Sequence, residues 1–184
     1  MLTVNFLGFS EDQKGREQKN HIAEALKIAS TWADKVNTAY LNWNLNANSD
    51  AKFAALAEQW FDLKNDQGRR KILASMVRRM AVYFQSDRTL NLRYGGISSD
   101  DPDDLAETAF QSGEITLFAP FFDAEMTGTD SAPGTLLHEL THQIQNTEDF
   151  AYGTDDSIDL ALDEPFDAAR NADNFEYLYE GYCS

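Results

Sequence analysis

The stretch Gly134-Thr135-Leu136-Leu137-His138-Glu139-Leu140-Thr141-His142-Gln143-Ile144-Gln145 restricts the possible folds of this chain more than any other. Leu137, Leu140 and Ile144 recur at spacings of three and four, which predicts a helix with an apolar stripe set into a core. His138 and His142 then fall one turn apart on one face, where two imidazoles can reach one cation, and Glu139 projects beside them. The fold therefore has to bury one stripe of this helix and turn its histidines toward a cleft. Two metal ligands and a general base on one helix are what a zinc hydrolase needs.

Zinc in a hydrolytic site usually takes three protein ligands and leaves one position for water. The chain has three histidines, none of them after His142, and its one cysteine is the penultimate residue, Cys183. The third ligand is therefore expected to be a carboxylate. Glu164 stands at a distance that a thermolysin-like arrangement allows, although Pro165 after it would disturb a helix interior. Asp149, soon after the end of the motif helix, is its rival, and spacing leaves both open. His21 has no second ligand at helical spacing and reads as a solvated or packed histidine.

The remaining sequence predicts a helical first part and a second part that carries the motif. Residues 1–9 read as a first strand. Ser10-Glu11-Asp12-Gln13 has capping-box form and opens a long helix to about Trp43, with Ile22, Leu26, Ala29, Ala33, Val36 and Tyr40 on its apolar face. A turn over Asn44–Asp50 follows, with Ser49 as the cap of a helix burying Phe53, Leu56, Trp60 and Leu63. A third helix runs from Asp66 to Phe84, burying Ile72, Met76, Met80 and Tyr83 or Phe84. Its Arg69, Arg70, Arg78 and Arg79 are expected to form a solvated face rather than a phosphate site. Thr89–Tyr94 alternates as a strand. Ser98–Asp104 is a loop whose Asp100, Asp101, Asp103 and Asp104 lack the spacing of a calcium loop. Glu114–Phe118 alternates again and stops near Pro120, as an edge strand does, and such an edge can pair with an extended peptide. Asp130 or Ser131 is expected to cap the motif helix, with Pro133 in its first turn. Helix resumes after Gly153 and ends with Phe175, Leu178 and Tyr179.

Composition excludes several classes of function. Fifteen basic against thirty-one acidic residues give a net charge of −16, which disfavours nucleic acid and favours cationic partners. No apolar run approaches the roughly 20 residues of a membrane span, so no membrane partner is expected. A single cysteine permits no disulfide within the chain. The first residues lack a basic leader and a cleavage site and do not read as a signal peptide, which leaves the compartment open.

Four blocks carry a resemblance: Thr127–Ser131, Gly134–His142, Asp149-Phe150-Ala151-Tyr152-Gly153 and Asn171-Ala172-Asp173-Asn174. In this order they resemble the aspzincin metallopeptidases, and within them the peptidyl-lysine metalloendopeptidases, relatives of deuterolysin. The resemblance is specific over the last third, weaker around Ile115 to Phe122, and only a pattern of helices before that. It implies that Asp149 joins His138 and His142 on one zinc ion, with Glu139 as the base and Tyr152 stabilising the transition state. It also implies that Asp173 and Glu176 line the pocket for the residue donating the scissile amide nitrogen, a pair characteristic of the lysine-specific branch. Two departures stand out: Phe175 replaces an expected histidine, and Phe9 and Phe118 stand where secreted fungal relatives have cysteines, so that aromatic contact is expected to replace a crosslink.

The expected fold is α+β and zincin-like: mainly helical, with a small sheet whose edge strand lies over the active cleft. Residues 1–184 are expected to form one catalytic domain, helical over about 10–85 and carrying the metal site over about 89–184. The expected activity is that of a monomeric zinc endopeptidase acting on lysine-containing polypeptides. Its delivery as a secreted protein, effector or toxin domain is compatible with the resemblance, as is a trimmed catalytic domain. The competing reading is an inactive zinc-binding module that holds basic peptides in an acidic cleft.

Overall fold

A computed structural model of the chain describes residues 2–46, 49–63, 66–99, 101–109 and 113–184. Ala47 and Asn48 of the expected first turn, and Asp100 of the acidic loop, lie outside the described residues. The order of elements is β1 (Leu2–Leu7), α1 (Gln13–Leu45), α2 (Ala51–Phe61), α3 (Gln67–Gln85), β2 (Arg88–Gly96), β3 (Ala106–Ala109) and β4 (Glu114–Phe118). A 3-10 turn over Ala119–Phe122 leads to α4 (Ala132–Gln145), α5 (Thr154–Asp163), α6 (Pro165–Ala168) and α7 (Ala172–Cys183). Among the described residues no helix is long and apolar enough to cross a membrane.

Helix α1 buries Ile22, Leu26, Ala29, Ala33 and Val36 along one face, together with Trp32 and Trp43. Its cap is Asp12 rather than Ser10: the Asp12 carboxylate accepts from Gly15 N at 2.9 Å, and the Ser10 hydroxyl donates to that carboxylate. This also explains the glycine inside the helix. A Cβ on Gly15 would meet the Ser10 carbonyl oxygen at 1.9 Å. Similarly, α2 is capped by Asp50 and not Ser49, through a 2.9 Å bond from Phe53 N. In both cases the longer aspartate, one or two residues nearer the helix, reaches the free amide and also places a negative charge at the positive end of the helix.

The basic residues of α3 are not merely solvated. Arg69 is buried and donates to Phe61 O at 3.0 Å, between Asp62 and Asp66. Arg70 lies over the Trp43 ring, 4.6 Å from its centroid. Arg79 donates to Ile144 O at 3.0 Å, bringing a positive charge to the C-terminal end of α4.

The sheet has the order β1-β2-β4-β3, with β1·β2 and β2·β4 parallel and β3·β4 antiparallel. Leu90 and Leu92 of β2, and Ile115 and Leu117 of β4, point alternately into the core. The expected edge strand is therefore interior: β4 is paired on both sides, and β3, unmarked in the sequence reading, forms the edge. Ala-Glu-Thr-Ala is short and only half apolar, so tertiary pairing rather than its own periodicity makes it a strand. Thr108 ties it to the motif helix, its hydroxyl donating to Glu139 O at 3.1 Å.

Helix α4 occupies the centre, in contact with α1, α3, α7 and β3. Every residue from Ala132 to His142 is buried, so the helix is enclosed on all sides and not by an apolar stripe alone. Helix α7 is likewise buried from Ala172 to Glu180. Phe175 is fully buried, its ring centroid 4.9 Å from that of Phe61. It therefore belongs to the core, where such a side chain contributes roughly 1.5–3 kcal/mol. Phe9 packs on Phe6, Tyr94 and Phe122, so its aromatic contacts cluster with these rings.

Candidate metal centre and active site

Ser131 starts the motif helix as expected, its hydroxyl oxygen accepting from Gly134 N at 3.1 Å. Asn146, in the left-handed conformation at φ 52°, ends it and turns the chain back. That reversal brings the Thr147 carbonyl to His142 Nδ1 at 2.9 Å. An Nδ1–H donated to a carbonyl leaves the Nε2 lone pair free for a metal. His138 is oriented the same way from the other side: its Nδ1 lies 2.8 Å from Asp173 Oδ1 and 3.2 Å from Glu176 Oε2.

The two Nε2 atoms converge on Asp149 Oδ1, at 3.2 Å from His138 and 3.4 Å from His142. The ligand atoms of His138, His142 and Asp149 lie within 4.8 Å of one another, and this donor set fits a zinc ion. Glu164, the alternative carboxylate, is instead an exposed residue at the junction of α5 and α6.

Burial by itself would lower the pKa of His138, but the surrounding carboxylates of Asp149, Asp173 and Glu176 raise it well above the usual imidazole value. Burial would raise that of Asp149, yet the hydrogen bonds from His138 and His142 hold it far below the carboxylate range. The cluster therefore favours positive charge at its centre. Glu139 is 4% exposed, its pKa is pushed up by burial against the pull of His138, and its Oε2 has no hydrogen-bond partner among the described residues. An unpaired buried carboxylate oxygen is costly unless a proton-bearing ligand meets it.

The segment after α4 is shaped by α7 and the residue before it. Asn171 Oδ1 accepts from Phe150 N at 2.7 Å and Ala151 N at 3.2 Å, while its amide donates to Ala151 O. Asp173 Oδ2 accepts from Gly153 N at 2.7 Å. Tyr152, held between these clamps, stands 66% exposed on the rim of a cavity of about 250 Å³. His138, Glu139, Asp173 and Glu176 line the same cavity, closed on one side by Leu105 and Ala106 at the start of β3.

Five of the seven residues expected at the site, His138, Glu139, Tyr152, Asp173 and Glu176, thus line one cleft, and His142 and Asp149 meet His138 beside it. His21 is apart from it, its ring packed edge-on against Phe121 at 5.6 Å. Thr147 and Asn171 have supporting roles that the sequence reading did not assign. An asparagine just past the last helical turn is a signal for the reversal at Thr147; no local signal marks Asn171 as the clamp.

Glu180 packs under the start of the motif helix, accepting from Ser131 N at 2.8 Å and Ser131 Oγ at 2.7 Å. Burial, then the adjacent Glu176, raises its pKa. A Cβ on Gly134 would fall 2.1 Å from Glu180 Oε1 and 2.8 Å from Glu176 Oε1. Gly134→Ala is therefore expected to destabilise the protein by about 1–3 kcal/mol through overpacking. Equal denaturation midpoints and slopes for the two proteins would contradict this.

The sequence profile of the family described as lysine-specific metallo-endopeptidase, the aspzincins, matches residues 46–180. The peptidyl-Lys metalloendopeptidase of Armillaria mellea is 46% identical over 72 residues, which are 38% of this chain and 20% of that protein. An extracellular protease of Aeromonas hydrophila is 42% identical over 72 residues, 38% of this chain and 21% of the relative. The matched stretch thus spans about a fifth of the length of these relatives. A solved zinc peptidase from Grifola frondosa has the same fold, with a TM-score of 0.73 at 24% identity, over 90% of this chain and 95% of that one.

Proposed function

We propose, for a chain that belongs to the lysine-specific metallo-endopeptidase family, a zinc-dependent endopeptidase activity that favours lysine on the amine side of the scissile bond. The observation that carries this reading is the convergence of His138, His142 and Asp149 beside the buried, unpartnered Glu139 Oε2. These three side chains would hold the ion, which when bound acidifies water and polarises a carbonyl.

The other steps belong to the protein. Glu139 accepts a proton from the attacking water and passes it to the departing amine nitrogen. The Tyr152 hydroxyl donates to the oxyanion that develops on the substrate carbonyl. The two imidazoles stay in place because Thr147, Asp173 and Glu176 fix the far sides of the rings. Asp173 and Glu176 give the cleft a negative wall, and a lysine ammonium entering it replaces hydration with carboxylate contacts.

Mapping the cuts made in a denatured protein tests this reading. Chelator-sensitive cleavage with lysine enriched on the amine side is the expected result. Cleavage without that enrichment would refute the specificity. Stoichiometric zinc with no cleavage would instead support an inactive peptide-holding module, a reading that leaves the unpaired base and Tyr152 without a use.

A further inference from the structure

We infer that Asp130 is a specificity-determining residue, a third carboxylate at the mouth of the cleft that receives the basic side chain of the substrate with Asp173 and Glu176. The inference rests on the lysine reading above and adds a residue to it.

Because Ser131 provides the cap of α4, the Asp130 carboxylate is not committed to the helix end. Asp130 has φ 54°, a left-handed conformation that aspartate adopts more readily than most residues. Its N–H lies 3.3 Å from Glu180 Oε2, which fastens the turn, and its exposed side chain lines the cleft containing His138 and Glu139.

Hydrogen-bond supply and demand then single it out. The Tyr177 hydroxyl lies 3.0 Å from Asp130 Oδ1 and 3.2 Å from Asp173 Oδ2, and its one hydrogen serves one of them at a time. Asp173 is otherwise engaged, Oδ1 with His138 Nδ1 and Oδ2 with Gly153 N. Glu176 Oε2 shares His138 Nδ1. Asp173 and Glu176 thus also hold a metal ligand and the Tyr152 segment, whereas the only donor to the Asp130 carboxylate among the described residues is the shared phenol. Among those residues no lysine or arginine pairs with any of the three carboxylates. An ammonium brings three N–H donors to a place where one phenolic hydrogen meets two carboxylates. Glu139, whose buried Oε2 has no hydrogen-bond partner among the described residues, lines the same cleft.

The test uses the zinc-loaded protein with two peptides that differ only in carrying lysine or methionine on the amine side. Asp130→Asn keeps the shape and a residue tolerant of positive φ; Asp130→Gly removes the side chain and favours that φ, so it stands in if the first variant folds poorly. The ratio of kcat/KM for the lysine peptide over the methionine peptide is expected to fall roughly three- to tenfold, mainly through KM. This is the size of effect a partly exposed ion pair allows. The salt dependence of the lysine reaction should weaken as well, with zinc content per chain retained. A ratio and salt dependence like those of the wild type, or an equal loss with both peptides, would overturn the role of Asp130. Absence of any lysine preference in the wild type would instead refute the reading on which this inference rests.

Discussion

Glu139→Gln is expected to lower turnover by about 100-fold or more, with zinc still bound. The glutamate lines the cleft and is buried beside both histidines, one of its oxygens without a hydrogen-bond partner among the described residues, so its loss removes the proton acceptor without touching a candidate ligand atom. General-base catalysis typically contributes on the order of 10²–10⁴. Glutamine preserves the volume, and its amide in the same enclosed place cannot accept the water proton. Metal analysis of the variant separates this outcome from ligand loss. Undiminished turnover would sink the assignment of Glu139, and lost zinc would show that the residue acts on the metal centre as a whole.

Tyr152→Phe should reduce kcat by roughly two to three powers of ten, the range typical of removing one oxyanion donor. The side chain is exposed at the rim, and its backbone is clamped through Asn171 and Asp173, so losing the hydroxyl should leave the loop in place. The discriminating measurement is the split between kcat and KM. An effect confined to KM would make Tyr152 a binding residue, since removing a group that stabilises only the transition state lowers kcat with little change in binding. Unlike Glu139→Gln, this variant keeps the base and all three candidate ligands, and comparing the two isolates the hydroxyl.

The local devices of the fold were largely legible. The helices α1, α2 and α3 follow from apolar positions at helical spacing, and β2 and β4 from alternation. The differences are of two kinds, one local and one set by tertiary pairing. Sequence pattern points to Ser10 and Ser49 as caps where Asp12 and Asp50 reach the amides, because neighbouring cap residues compete through distances of a fraction of a turn. The proline after Glu114–Phe118 points to an edge strand, yet β3 pairs along the side away from β2. Ala106–Ala109 is held by its partner and by Thr108, neither of which is visible in four residues of weak pattern.

The candidate site divides along the same line. By itself the sequence put two histidines on one helical face with a glutamate beside them, made a carboxylate the expected third ligand, and, through the resemblance carried by the four blocks, grouped Asp149, Tyr152, Asp173 and Glu176 with them. Spacing alone left Asp149 and Glu164 open. Only the tertiary structure decided which of the two meets the histidines, because the reversal at Asn146 returns the chain toward His142 while α5 carries Glu164 away. Only it revealed that Asp173 and Glu176 touch His138 as well as the cleft, and that Asp130 faces Asp173 across the Tyr177 hydroxyl. The physical reason is range: helical spacing is set by neighbours three or four residues apart, whereas these carboxylates are brought together by the packing of α7 along α4, which depends on the whole core.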